Sequence, residues 1–395
     1  MSRGAEKPAR VVYVSALMGR QTCRALFENA PFPPSQAAQK YHGLLARGLL
    51  AAGAEVRCVT PPPVSRTTSC KRFLRLPGEK EDGIRFSYLP VVDLPVVRHG
   101  IFFLGSFFVT LFQLHRNAYV LCDGLCIAAS GGARAAARLM GRPCTAIVTD
   151  VPEVLGGSES RTARLNTREL AKYDGYLLLT KAMSDRVNPR GKPVLVAEGL
   201  VDETLMLPPN ARENKYPEKV CLYAGMLHEK YGILRLTEAF SQVEDPDARL
   251  EICGTGDGVE KIRMAAARDA RILYEGVRDN AWVVQEEIRA TLLINPRPSD
   301  EEFTKFSFPS KNLEYMVSGT PMLTTRLPGM PAEYNDYVYL FDEETPEAMA
   351  DQLRKILALP SETLAEKGRS ARGFVLANKN NRAQAERLLT FMEGL

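Results

Sequence analysis

The sequence predicts an α/β protein made of two doubly wound, Rossmann-like domains. Three observations predict it. Short apolar runs alternate with helical patterns along most of the chain, the order of a parallel sheet with helices on its faces. The pattern breaks over the Pro-, Asn- and charge-rich stretch 203–219 and then restarts. The 395 residues are also enough for two domains of ordinary size. The expected divisions are a first domain over 1–202, a linker over 203–219 and a second domain over 220–372. A C-terminal helix over 373–395, with Gly373 as a break, can cross back to the first domain.

The elements follow in order. RVVYVS (10–15) reads as a buried strand. A loop over 17–35 holds Met18-Gly19-Arg20 and the proline-rich 31–34, and a helix over 36–52 closes at Gly53 before a strand at 56–60. Further strands are expected at 84–89, 119–122, 145–149, 176–179 and 194–197, with helices at 127–139 and 165–172. In the second half, strands are expected at 220–224, 249–253, 272–274 and 292–295, and helices at 233–240, 258–267 and 281–288.

The most informative stretch is FSFPSKNLEYMVSGTP (306–321). Pro309 and Ser310 start a helix, and Gly319 and Pro321 stop it. Leu313, Met316 and Val317 form its apolar face, while Lys311 and Glu314, three apart, share another. A long loop, 296–308, joins the preceding strand to this helix. It leaves the carboxyl end of that strand, where open α/β sheets bind ligands. A helix start offers free N–H groups and a positive dipole end, which suits a diphosphate. Ser310, Lys311 and Asn312 lie where those donors point, and Glu314 can accept hydrogen bonds from a ribose diol. The other reading is a capped surface helix with a chance ion pair.

Composition excludes more than it identifies. A formal charge of +4 argues against a dedicated nucleic-acid binder. Eight scattered cysteines, Cys70 among them, and four histidines show no zinc spacing. No leader pattern is visible at the N-terminus, and the longest apolar run, 101–114, is short for a bilayer-spanning helix, so a cytoplasmic protein is expected. That run is flanked by Arg98, His99, His115 and Arg116. Burial between the sheet and neighbouring helices is the expected arrangement. The other reading is a helix lying on an anionic membrane, to which Lys71-Arg72-Phe73-Leu74-Arg75 could add.

The second half resembles a known family. Tyr223-Ala-Gly-Met-Leu-His-Glu-Lys-Tyr-Gly232, Ile252-Cys-Gly-Thr-Gly256, Tyr274-Glu-Gly-Val277 and SFPSKNLEYMVSGTP resemble, in order, the donor-domain motifs of glycosyltransferase family 4. These are retaining, nucleotide-sugar-dependent enzymes of the GT-B fold. The helix start Pro33-Pro-Ser-Gln-Ala-Ala-Gln-Lys40 is similar to bacterial members that build polysaccharide or cell-envelope glycans. The resemblance implies an α/β GT-B fold whose two domains face an interdomain cleft. It implies a sugar nucleotide, most simply a UDP-sugar, as substrate. The acceptor is a sugar or lipid-linked sugar, with no cofactor, no metal and no nucleic acid.

It also implies roles. Lys230 neutralises the departing diphosphate, and Gly225 lets backbone approach the phosphates. Val277 holds the nucleobase through its main chain. Ser310, Lys311 and Asn312 contact the diphosphate, and Glu314 the ribose. Two positions depart from the family: Met226 replaces an arginine, for which Lys311 is the expected substitute, and Phe306 replaces a glutamate that contacts the donor sugar, where Glu301 or Glu302 could reach in from the loop. On the acceptor side, Asp150 sits at a strand end and is either a hydroxyl partner or a turn residue. Gly19 and Arg20 either approach the sugar or belong to an ordinary loop. His42 is expected to pack, and His228 is either a phosphate contact or exposed. Two alternatives to a transferase stay open: a sugar-nucleotide epimerase, and a non-catalytic scaffold subunit motivated by Met226 and Phe306.

Overall fold

The computed structural model describes residues 8–28, 30, 36–64, 73–153, 160–205, 210 and 212–395. The proline-rich 31–35, Cys70 and the Lys71-Arg72 pair lie outside them. The chain forms two units: Met1–Glu203 with Asn380–Leu395, and Thr204–Lys379.

The first unit carries an eight-stranded sheet. Its strands are β1 (Arg10–Val14), β2 (Glu55–Thr60), β4 (Glu79–Glu81), β5 (Ile84–Tyr88), β7 (Ala118–Asp123), β8 (Cys144–Val148), β9 (Gly175–Leu178) and β10 (Val194–Val196). A separate antiparallel pair joins β3 (Phe73–Leu74) to β6 (Val91–Val92). The sheet order is β10-β9-β8-β7-β1-β2-β5-β4, and every neighbouring pair is parallel except β4–β5. Val11, Tyr13 and Val14 are wholly buried because helices cover both faces, which is why a central parallel strand reads as a continuous apolar run.

The second unit carries a six-stranded parallel sheet of β11 (Lys219–Met226), β12 (Ala248–Thr255), β13 (Ile272–Gly276), β14 (Leu292–Asn295), β15 (Met322–Thr324) and β16 (Tyr339–Leu340). Its order is β13-β12-β11-β14-β15-β16. The order reverses direction at β11, between β12 and β14, so the loops after β11 and β14 diverge there and leave a crevice at the carboxyl edge.

Three expectations are corrected. The loop at 17–35 contains a helix, Arg20–Phe27. Gly373 lies inside the continuous helix Ser361–Asn378. The chain instead turns at Lys379 into the helix Asn381–Glu393, which belongs to the first unit. There Asn381 donates its amide to the Leu44 carbonyl at 3.2 Å and accepts the Glu203 N–H at 2.9 Å. The stretch before β11, expected as a linker, is tied to the second unit. Lys215 Nζ donates to the carbonyls of Ile288 and Ala290 and to the Thr320 hydroxyl, each at 2.8 Å, and burial pushes its ammonium down to about 7.

The apolar helix, Pro95–Gln113, is the third correction. Only 11% of the window Val96–Gln113 is buried. Ser106 and Thr110 face inward, wholly buried, while Phe108 and Phe112 are exposed. Small residues face in because the neighbouring helix, Ile127–Leu139, lies against its backbone: a Cβ at Gly132 would overlap the Phe103 carbonyl.

Candidate functional site

The site is built at the carboxyl edge of the second unit's sheet. β11 ends at Gly225-Met226, β12 at Gly254-Thr255, β13 at Gly276, and β14 runs into Pro296-Arg297. The helix Ser310–Ser318 starts at the same edge and closes on Gly319, which is left-handed at φ 77°. Leu313, Met316 and Val317 are buried, as the apolar spacing requires.

Lys311 does not stand at the surface beside Glu314. Its Nζ is buried, has no hydrogen-bond partner, and lies 4.1 Å from the centroid of the Tyr223 ring and 5.9 Å from that of Tyr315. The room for it comes from Gly225, where a Cβ would overlap the ammonium. Gly225 adopts φ 154°, and on the next strand Gly254, at φ 139°, leaves space for the Gly225 carbonyl. The two strand ends therefore close together beneath the cation. Burial first, and the nearby Arg297 second, push the Lys311 ammonium down to about 7.

Arg297 is the residue that sequence reasoning missed. It follows β14, at the place where a strand delivers side chains to a ligand. Its guanidinium lies 4.8 Å from the Tyr231 centroid and 5.5 Å from that of Phe303. Nη1 donates to the Ser307 hydroxyl at 3.4 Å, and Nε is buried without a partner. Burial lowers its pKa. Lys230, exposed in a short turn, places Nζ 5.5 and 5.4 Å from the same two rings. Lys230 and Arg297 thus share one aromatic pair, and Arg297 adds to the field at Lys311. A buried polar atom with no partner calls for an explanation, and a bound ligand is one. Here Lys311 Nζ and Arg297 Nε are both in that state, and both belong to basic side chains.

Asn312 is turned inward and wholly buried. Its Oδ1 accepts from Asn295 at 2.6 Å, its amide points at the Met330 sulfur at 3.6 Å, and its backbone N–H donates to the Pro309 carbonyl at 2.9 Å. It braces the helix start against β14 instead of offering a donor. Ser310 and Glu314 are exposed at the edge, and Val277 is 72% exposed after the left-handed Gly276. His228 pairs with Asp257 at 3.3 Å. Phe306 is buried, so its position closes the loop apolarly, while Met226 is 49% exposed.

The first unit gathers a second cluster at the carboxyl edge of its own sheet. Asp123 ends β7 and Asp150 follows β8. The buried His42 bonds the Tyr13 hydroxyl through Nδ1 at 2.5 Å and faces Asp123 through Nε2 at 3.3 Å. Burial pushes the Asp123 carboxyl up, but His42 and the Leu125 N–H outweigh it and hold it below its usual value. Asp150 is partly buried and accepts the Thr149 hydroxyl at 3.0 Å. Burial first, then the Asp123 charge, raises its pKa. Two neighbouring carboxyls are thus pushed in opposite directions.

The backbone donors of Gly19 and Arg20 are spent within the unit. The Gly19 N–H donates to the Tyr88 hydroxyl at 3.0 Å and the Arg20 N–H to Glu81 at 2.6 Å. The Arg20 side chain pairs with Glu81 and Asp82 on the β4–β5 hairpin, at the rim of a cavity of about 380 Å³.

Residues 218–359 match the family model described as Glycosyl transferases group 1. The match lies within the second unit and leaves the first unmatched. The matched span holds the whole cation-lined edge. Solved structures share the fold over nearly the full chain. One is titled trehalose-6-phosphate from E. coli bound with UDP-2-fluoro glucose, with TM-score 0.68, 11% identity and coverage of 98% of this chain and 99% of that one. Another is the sucrose-phosphate synthase of Thermosynechococcus elongatus, with TM-score 0.63, 16% identity and coverage of 98% of each chain. A third is HepE of Anabaena in complex with UDP and glucose, with TM-score 0.61, 12% identity and coverage of 98% and 100%. At these identities the likeness shows the fold, which is GT-B. No curated protein sequence matches the chain.

Proposed function

We propose that the protein is a retaining glycosyltransferase that moves a sugar from a nucleoside diphosphate, most simply UDP, to a hydroxyl of a sugar or lipid-linked sugar in bacterial glycan synthesis. One observation carries the reading. Two buried basic nitrogens without a hydrogen-bond partner, Lys311 Nζ and Arg297 Nε, sit at the crevice edge of the domain that matches the group 1 glycosyl transferases. Such an edge needs an anion, and a diphosphate supplies two adjacent charges. The titles of two fold relatives name UDP or a UDP-sugar.

In this reading Lys311 and Arg297 grip the diphosphate from beneath and Lys230 meets it from solvent. Charge that grows on the leaving diphosphate is stabilised by groups already in place. Glu314 accepts the ribose hydroxyls, and Asp150 takes a hydrogen bond from the acceptor. The cations supply the positive field, so no metal is needed, and the reaction is placed on the cytoplasmic side. Arg297 also answers the departure at Met226, one of the two that motivate the scaffold reading.

The test is product analysis with a panel of UDP-sugars and a simple glycoside acceptor, read by NMR of the new anomeric proton. Transfer with retained configuration supports the proposal. Inversion overturns the mechanism, a new epimer without acceptor points to an epimerase, and binding with neither transfer nor hydrolysis points to a scaffold.

A further inference from the structure

The helix Pro95–Gln113 is inside out. A soluble surface helix buries its large apolar residues and exposes small or polar ones. Here the residues spaced four apart on the outer face are Val96, Leu104, Phe108 and Phe112, exposed by 86%, 55%, 51% and 84%. The inner face is Ser106 and Thr110, whose hydroxyls are buried without a partner. It lies against the Gly- and Ala-rich helix Ile127–Leu139 closely enough that Gly132 admits no Cβ. Close packing through small residues, with large apolar ones turned outward, is how helices pair where the surroundings are lipid. The exposed area extends to Leu139 and Met140, exposed by 67% and 48%, at the end of that second helix.

Charge identifies the occupant. From Leu94 to Cys122 the chain has no acidic residue, while Arg98 and Arg116 stand at the two ends of the helix. Arg138 adds an exposed cation beside Leu139. An apolar stripe with a basic rim fits the anionic headgroups of a bilayer and the acyl boundary beneath them. A second copy of this chain fits poorly, because a two-fold interface would set the same cations against each other. The helix also does not cross. Nineteen residues would reach about 28 Å at a rise of 1.5 Å each, but its two ends lead from β6 and into β7 of the same unit, and its inner face is packed along its length. We infer that this face docks the protein on an anionic phospholipid membrane, with the helix lying in the interface plane.

The experiment uses the full chain and sedimentation with vesicles of phosphatidylcholine, with and without phosphatidylglycerol, beside the oligomeric state by light scattering. The expected result is binding to the anionic vesicles alone, weakening with added salt. Phe108→Ser and Phe112→Ser should each reduce it about tenfold, and Arg116→Glu should reduce it too. Circular dichroism should be unchanged, since all three side chains are exposed. No sedimentation with either vesicle overturns the inference, as does equal binding to both. Phenylalanine variants that bind as well as the parent overturn it. So does a dimer in solution that those variants convert to monomer, which would assign the face to a second copy.

Discussion

Replacing Lys311 with Met isolates the cost of holding a cation ready for a ligand. The side chains are of similar length, so the space beside Gly225 stays filled. In the folded protein the ammonium titrates near 7, against 10.5 when exposed in the unfolded chain. Below pH 7 both states hold the proton and the whole penalty of the buried charge is present. Between about 7 and 10.5 the unfolded chain keeps a proton that the folded one has released, so stability rises with pH. Above that range the two states match and the penalty is gone. At about 1.4 kcal/mol per pH unit the penalty is up to about 5 kcal/mol. Lys311→Met should therefore stabilise the nucleotide-free protein at pH 6 to 7, with the gain shrinking towards pH 10. The same variant should lose its stabilisation by UDP, which for a binding-competent protein is about 2.7 kcal/mol at a hundredfold excess over Kd. Urea unfolding across this pH range, with and without UDP, reads both effects. A variant that is less stable than the parent at pH 6 without nucleotide, or that keeps the full UDP effect, would refute the reasoning.

Other outcomes follow from the same geometry. A diphosphate beside Lys311 should hold its proton, so UDP affinity should fall above about pH 7, at most tenfold per unit; calorimetry should show proton uptake that Lys311→Met abolishes. Arg297→Ala should weaken UDP binding, whereas Met226→Ala, at an exposed position, should leave it within about twofold; equal effects would remove Arg297 from the site. Lys230→Ala and Glu314→Ala should lower transfer with the thermal midpoint of the free protein unchanged, because both side chains are exposed. Asp150→Asn should slow transfer while UDP still binds, and the parent's acidic pH limb should lie above the usual carboxylate range, as burial and the Asp123 charge require. A chelator should leave transfer intact; loss restored by Mg²⁺ or Mn²⁺ would contradict the metal-free mechanism.

Much of the architecture was legible because a parallel sheet imposes a strong pattern. Strands such as Val220–Ala224 are apolar on both sides, and the helix at Ser310 carries its start and stop signals in its own residues. The strand-end position of Gly225 and the exposed positions of Lys230 and Glu314 were legible because their motifs are local. The site was not legible where the fold supplies the neighbour. Arg297 lies in a loop beside prolines, and nothing nearby in sequence says that Tyr231 and Phe303 will flank it. Lys311 looked like a surface cation because spacing pairs it with Glu314. Its burial depends on the absence of a side chain at Gly225, on another strand. Asn312 showed the opposite error, since a polar residue at a helix start can equally brace the helix against β14. For Pro95–Gln113, hydrophobicity said that something apolar must cover the helix, but not whether protein would do so.

The last helix, Asn381–Glu393, carries a consequence for biogenesis. Translation delivers the second unit whole, ending at Lys379, while the first still lacks its closing segment. The first unit therefore leaves the ribosome with Leu45 and Leu49 waiting for a cover that is synthesised after the whole second unit, the reverse of the usual N-terminal-first order. A frameshift or premature stop near residue 380 would spare the cation-lined edge and cripple the other half of the molecule.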